Sequence, residues 1–287
     1  MQDFVALVWG NLRSYWWSSI IAAAFCIVLE LITSHEKVSW SSRLRGTWFW
    51  FVYSLITVTF FAVFNSLWSK LGVTPLVAID VGILSHTQYP ALHVVSWFLA
   101  PIAGGLVSEF FYYWFHRAQH TFRFMWRFHE VHHALREMNG VNSNHHFTEE
   151  IFRIPFIVVP MTFFVGVNYG VVPAIIFSII GLQGRYEHSS TKFHLGWFRY
   201  VVSDNRFHRI HHTIHREDWG HNFGSFVPFW DIVFRTAKFP KKDEWPDVGI
   251  PDVDEPKTLS DFLWMPFRKR TGQETFNQRL ETTDPTG

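Results

Sequence analysis

The chain has one cysteine, Cys26, in 287 residues. It therefore forms no internal disulfide and offers no thiolate set for zinc or an iron–sulfur cluster. The formal net charge is only +1, which gives no electrostatic reason to expect a nucleic-acid partner. No Gly-rich nucleotide fingerprint follows a strand-like pattern. A cleavable signal peptide is not expected, because the N-terminal stretch lacks a basic segment followed by an apolar core and a small-residue cleavage site. With no thiolate set, any metal here is expected to be held by nitrogen and oxygen.

What is abundant is apolar and aromatic. Phe and Trp number 31 and 15, a bias that suits lipid contact at least as well as a soluble core. Residues 15–33 carry one charge, Glu30; residues 47–68 carry none; residues 91–115 carry only Glu109. Each run reaches the roughly 20 residues that span a bilayer core, so three spanning helices are expected within residues 1–115. Trp16, Trp17, Trp48, Trp50, Trp68, Trp97 and Trp114 lie near the ends of these runs, where an interfacial belt would place them. A fourth uncharged stretch, residues 154–183, is broken by "GVNYG" and Pro173. At that length it predicts a tight apolar hairpin that crosses or only dips into the membrane.

Basic residues give an orientation. Lys37, Arg43 and Arg45 follow the first run, Lys70 alone follows the second, and Arg117, Arg123, Arg127 and Arg136 follow the third. This bias predicts an external N-terminus and a cytosolic polar region. That region holds most of the 17 histidines, with three clusters: "HRAQH" at 116–120, "HEVHH" at 129–133 and "HRIHH" at 208–212. On a helix, offsets of three and four return side chains to one face, so each cluster can aim at a common centre. Eight imidazoles, His116, His120, His129, His132, His133, His208, His211 and His212, exceed what one first-row metal takes and imply two metals. Neutral imidazoles suit iron, copper, nickel and zinc about equally, so the ligand type leaves the metal open.

The order His-x-x-x-His, His-x-x-His-His, apolar hairpin, His-x-x-His-His resembles the fatty acid hydroxylase and sterol desaturase superfamily of membrane-bound di-iron oxygenases, from about residue 109 to 236. "EHS" at 187–189, "HNFG" at 221–224 and "WDIVFRT" at 230–236 resemble further motifs of that family, and "HHFTE" at 145–149 resembles its His-Pro-x-acidic segment with Phe147 in place of Pro. Two departures are Ala134, where Ser is frequent, and Asn205, where many members have Pro.

The resemblance implies an all-α integral membrane bundle with a cytosolic helical cap over a histidine-rich dimetal site. It implies two iron ions, O2 as co-substrate, and hydroxylation of an unactivated C–H bond of a lipid or sterol-like substrate. Desaturation on the same centre is the alternative. No cytochrome b5-like haem segment is evident in the chain, so an external electron donor of reductase, ferredoxin or cytochrome b5 type is expected. The bacterial inner membrane and the endoplasmic reticulum fit equally.

His188, directly after the hairpin, is the expected ninth ligand, and His146 the weaker tenth, with adjacent His145 able to substitute. Glu109, Glu130, Glu149, Glu187 and Asp204 are candidates to orient the imidazole N–H groups. A reading from another class is a zinc-dependent membrane hydrolase with Glu130 as general base, although "HEVHH" lacks the His-Glu-x-x-His spacing. A metal store or transporter would want ligands at mid-membrane depth. His35, His86, His93, His194, His215 and His221 are expected to be structural. Three regions result: a transmembrane part, 1–115; a histidine-box catalytic part, 116–236; and a solvated, partly irregular tail, 237–287, expected to pack on the cap or meet the electron donor.

Overall fold

The computed structural model describes residues 2–80, 88–168, 173–251 and 253–268. His86 and part of the "GVNYG" break lie outside the described residues. The main elements are helices. Two of them, α1 (Gln2–Thr33) and α2 (Trp40–Trp68), carry the first two charge-poor runs. The stretches Phe4–Thr33 and Trp40–Leu71 are long and apolar enough to cross a membrane. They form a hairpin held by aromatic contacts, Tyr15 on Trp50 and Trp16 on Phe51 at 5.8 and 4.9 Å between ring centres. The Trp16 indole N–H donates to Ser54 Oγ at 2.8 Å. Ser39 starts α2 by accepting from the backbone N–H of Ser42.

Helix α3 (Pro90–Thr121) starts with Pro90 in its first turn, behind an extended Tyr89. It breaks at Phe122, whose extended backbone also starts α4 (Arg123–His133). That single extended residue folds α4 back onto α3 and brings the first two histidine clusters together. After α5 (Glu149–Arg153) the chain widens into two π-helical segments, Ile154–Val158 and Pro160–Phe164. The return helix is α6 (Pro173–Tyr186), which packs against α1. Three short helices follow: α7 (Asn205–His211), α8 (Phe229–Val233) and α9 (Leu259–Trp264).

The all-α expectation needs one correction. Strands β1 (Val77–Asp80) and β2 (Val165–Asn168) pair in parallel, Val77 opposite Val165 through Asp80 opposite Asn168. Backbone that leaves the helix at the broken hairpin still needs hydrogen-bond partners, and these β-branched stretches satisfy each other.

Residues 237–268 do more than trail into solvent. Ile250, Val253, Phe262 and Met265 form an apolar core with Phe49 of α2, Val131 and Ala134 around α4, and Trp219. Phe262 stacks on Phe49 at 4.8 Å. The loop between α1 and α2 lies at the same end of the molecule: Ser39 donates to Glu137, and Arg45 pairs with Glu255. Gly46 is pressed so closely on Val141 and Asn142 that a methyl there would come within 2.3 Å of the Val141 carbonyl.

Candidate metal centre

The three clusters converge from α3, α4 and α7. His116, His120, His129, His133 and His211 form one group, and His132, His188, His208 and His212 another. Within each group every residue offers one ring nitrogen within 4.8 Å of the others, and all nine residues are buried. The repeated His-x-x-His-His spacing explains the split. On α4, His129 and His133 are one turn apart and serve the first group, while His132 turns to the second. On α7 the roles reverse: His208 and His212 serve the second group and His211 the first. The groups are side by side, His133 stacking on His212 at 4.3 Å.

Four of the rings are pinned through Nδ1. His116 Nδ1 lies 2.7 Å from the Phe223 carbonyl, His211 Nδ1 2.7 Å from that of His221, and His188 Nδ1 2.6 Å from that of Gly184. His129 Nδ1 lies 3.2 Å from Glu149 Oε2. A carbonyl or carboxylate oxygen only accepts, so each Nδ1 carries the proton and each Nε2 a lone pair. Yet His116 Nε2 and His129 Nε2 are 3.0 Å apart. His188 Nε2 likewise lies 3.2 Å from His132 Nε2 and 3.1 Å from His208 Nε2. His211 Nε2, His132 Nδ1 and His208 Nδ1 are buried with no hydrogen-bond partner. Facing lone pairs and orphaned buried nitrogens are costly unless a cation lies among them. The residues fit a metal in each group.

Their charge state agrees. Burial, reinforced by neighbouring imidazoles, lowers every one of the nine, His188 and His211 to about 3. Neutral rings at neutral pH are what a metal ligand requires. For Glu149, burial acts to raise the carboxyl, but His145 and His129 outweigh it and hold it well below the usual range.

The outer candidates divide. His145 stacks on His132 at 3.9 Å and its Nδ1 lies 3.1 Å from Glu149, giving a third cluster of His129, His145 and Glu149. His146 stands apart from both histidine groups; its Nε2 faces the Leu263 carbonyl at 3.3 Å and its Nδ1 accepts from the Thr148 N–H. Of the five acids, Glu149 is within hydrogen-bond reach of one of the nine residues' ring nitrogens. Glu187 Oε1 is 3.9 Å from His188 Nδ1 and accepts instead from Ser225 Oγ at 2.8 Å. Glu109 accepts from the backbone N–H groups of Ser225 and Phe226, and Asp204 caps α7. Glu130 is buried beside His129 but belongs to neither group.

Residues 101–236 match the family model described as fatty acid hydroxylase. This stretch is a fatty acid hydroxylase domain, of the histidine-box oxygenase superfamily. No curated protein and no solved structure matches the chain. A domain matching the fatty acid hydroxylase family implies an oxidoreductase.

Within the hydroxylase domain, the closing motifs acquire a physical role that sequence reasoning missed. The carbonyls of His221 and Phe223 hold His211 and His116, so the "HNFG" loop must keep one shape. Asn222 takes a left-handed backbone, φ 59°, which Asn tolerates better than most residues. Its amide donates to the carbonyls of Phe207 and Lys238, both at 2.8 Å. Asp231 accepts from the N–H groups of Phe223 and Gly224 at 2.8 and 2.7 Å and from Thr236 Oγ1 at 2.7 Å. A methyl at Gly224 would come within 2.6 Å of the Val227 carbonyl. The adjacency of "HNFG" and "WDIVFRT" was the available signal.

The two departures of the hydroxylase domain also have local reasons. Asn205 occupies the first position of α7, and its amide donates to the carbonyls of Ser189 and Thr191 at 3.1 and 2.7 Å. It ties the third box to the turn carrying His188, a bond that proline cannot make. Ala134 is fully buried in the apolar core, where a serine hydroxyl would need a partner.

Proposed function

We propose that this chain is a membrane-embedded, O2-dependent oxygenase that holds two irons and hydroxylates an unactivated C–H bond of a lipid or sterol-like substrate. The observation that carries this reading is the pair of adjacent all-imidazole groups, with four outer N–H groups tied back and the Nε2 lone pairs of those rings turned inward. The reading assigns His116, His120, His129, His133 and His211 to one iron and His132, His188, His208 and His212 to the other. Bound there, iron would supply the redox chemistry that activates O2. The overall change is RH + O2 + 2 e⁻ + 2 H⁺ → ROH + H2O, with electrons from an external donor.

The protein's own contribution is orientation and exclusion of water. Backbone carbonyls at 184, 221 and 223 and the Glu149 carboxylate fix tautomers before any metal arrives. The first cluster begins one residue beyond the third apolar run, so a lipid entering between helix ends reaches the site without crossing water. Lys37 in the α1–α2 loop and Arg43 and Arg45 in the first turns of α2 share an end with the histidine groups, and this supports a cytosolic site under the positive-inside rule. On this reading residues 1–115 form the membrane part, 116–236 the catalytic part with its hairpin at 154–183, and 237–287 the cytosolic tail.

Lipid mass spectrometry of cells with and without the gene tests it. A gain of one oxygen names hydroxylation, and a loss of two hydrogens names desaturation. Turnover should require O2 and a reductant; activity that continues anaerobically with zinc alone rejects the reading in favour of a hydrolase.

A further inference from the structure

Residues 225–236 lie in the polar part of the sequence, yet they run along α3 at the level of the third apolar run. Phe226 packs on Gly105, where a methyl group would come within 2.7 Å of its ring. The Trp230 indole N–H donates to the Leu106 carbonyl at 3.1 Å, and its ring meets Phe110 at 4.8 Å. Phe234 stacks on Tyr113 at 5.0 Å, and Thr236 Oγ1 lies 3.0 Å from Tyr113 Oη. At 1.5 Å per residue, Gly105 is roughly 15 Å back from the end of that run. The backbone of this segment is also what satisfies Glu109, the one acidic or basic side chain in the run.

The outward side of the segment is apolar. Phe229, Ile232 and Val233 are spaced i, i+3, i+4 on α8 and are 48, 47 and 48% exposed. Trp230 turns inward to α3 and Asp231, fully buried, to the "HNFG" loop. The first charge after the face is Arg235, exposed at its end. A water-facing half-turn would not expose three large apolar side chains beside a membrane-depth helix.

From these contacts we infer that α8 and its flanks form a wedge inserted into the bilayer, with Phe229, Ile232 and Val233 in contact with acyl chains and Arg235 at headgroup level. The inference rests on the membrane reading above. The covering partner is lipid because the face continues the surface of an apolar helix at the same depth. The wedge is thus wet on neither side: lipid outside, and inside the clamp that holds two metal ligands.

The test uses the full-length metal-loaded protein in phosphatidylcholine vesicles. Cys26, the only cysteine, is buried and is replaced by Ser; nitroxide labels are then attached at Ile232→Cys, Phe229→Cys, Glu217→Cys and Ile21→Cys. Retention of the parent's metal content shows that each variant is folded. Labels at 229 and 232 should be relaxed more by O2 than by an aqueous nickel chelate, as at Ile21 on α1, with the reverse at exposed Glu217. Chelate-accessible labels at 229 and 232, with Ile21 still in lipid, overturn the wedge. Protection from both reagents assigns the face to protein and overturns it equally. A chelate-accessible Ile21 removes the membrane reading and the wedge with it.

Discussion

The two histidine groups share α4 and α7, but α3 serves only the first and the turn after α6 only the second, and they are anchored differently. The first is fixed from the C-terminal side, by the "HNFG" loop under Asp231, and from the second box's own loop, by Glu149. The second is fixed through the turn after α6. There His188 is held by Gly184, while Glu30 of α1 accepts from Ser189 Oγ at 2.9 Å and the backbone N–H groups of Ser190 and Gly140 at 3.2 and 2.8 Å. Glu30 itself is paired with Arg43 and buried. One group therefore depends on α8, through Asp231, and the other on the α1–α2 hairpin, through Glu30 and Arg43. Ligand sets built from shared helices can still fail independently.

Removing ligands should separate the groups most sharply. His211→Ala is expected to leave one metal per chain and abolish turnover, and His188→Ala to do the same from the other group. Metal analysis together with single-turnover product detection checks both, and two metals in either variant would show that its assignment is wrong. Next in size, Asp231→Asn should weaken the first group about 10- to 100-fold in metal affinity while the second is unchanged, as for other groups that orient ligands. Glu30→Gln should do the reverse. Competition titration with a chelator resolves the two sites, and equal weakening at both would erase the asymmetry.

Acid should act on both groups. In metal-free protein, His188 and His211 protonate only near 3, against an ordinary value of 6.5. Below that ordinary value the unfolded chain binds protons that the folded chain refuses, so stability falls as pH drops from about 6.5 toward about 3 and is flat above it. Denaturant midpoints in detergent across that range measure it; rising stability on acidification would contradict the buried neutral rings. The smallest effect concerns His146→Ala. Its ring bonds to the Leu263 carbonyl and stacks on Phe147, so the variant should keep two metals and lose only about 1 kcal/mol of stability.

Much of the centre was legible because ligand spacing is local. Helical offsets within "HEVHH" and "HRIHH" bring the one-turn pairs His129/His133 and His208/His212 together, although each triplet divides between two groups instead of meeting at one centre, and His188 lies directly after an apolar segment expected to return to the same end. The role of His221 was not legible, since its backbone carbonyl, which any residue would offer, is what orients His211. For the same reason the acids near the boxes did not identify the anchors: of the four Nδ1 groups described above, three are held by carbonyls and one by a carboxylate. The apolar runs at 15–33 and 47–68 lie within α1 and α2, but the start of α2 at Trp40 depends on a cap that hydropathy does not register. The β1–β2 pairing escaped because its strands are separated by nearly 90 residues, and four residues of each carry little pattern. Packing of the tail on the cap was among the readings the sequence left open, but the charged stretches around Ile250, Val253, Phe262 and Met265 hid which residues carry it.

Glu109 carries a consequence for assembly in time. A carboxylate carried into the membrane on an isolated helix costs on the order of 3 kcal/mol, and in the finished protein this one is satisfied by backbone N–H groups more than 110 residues later in the chain. During synthesis α3 is made long before Ser225 and Phe226 exist. On the membrane reading, α3 waits at the interface, or inserts with its acid unpartnered, until this segment arrives to seat it. The same arrival delivers the carbonyls that aim His116 and His211. On the proposed reading, the first histidine group is complete only when nearly all of residues 116–236 have been made, so that a partly synthesised chain would have no finished redox centre to expose.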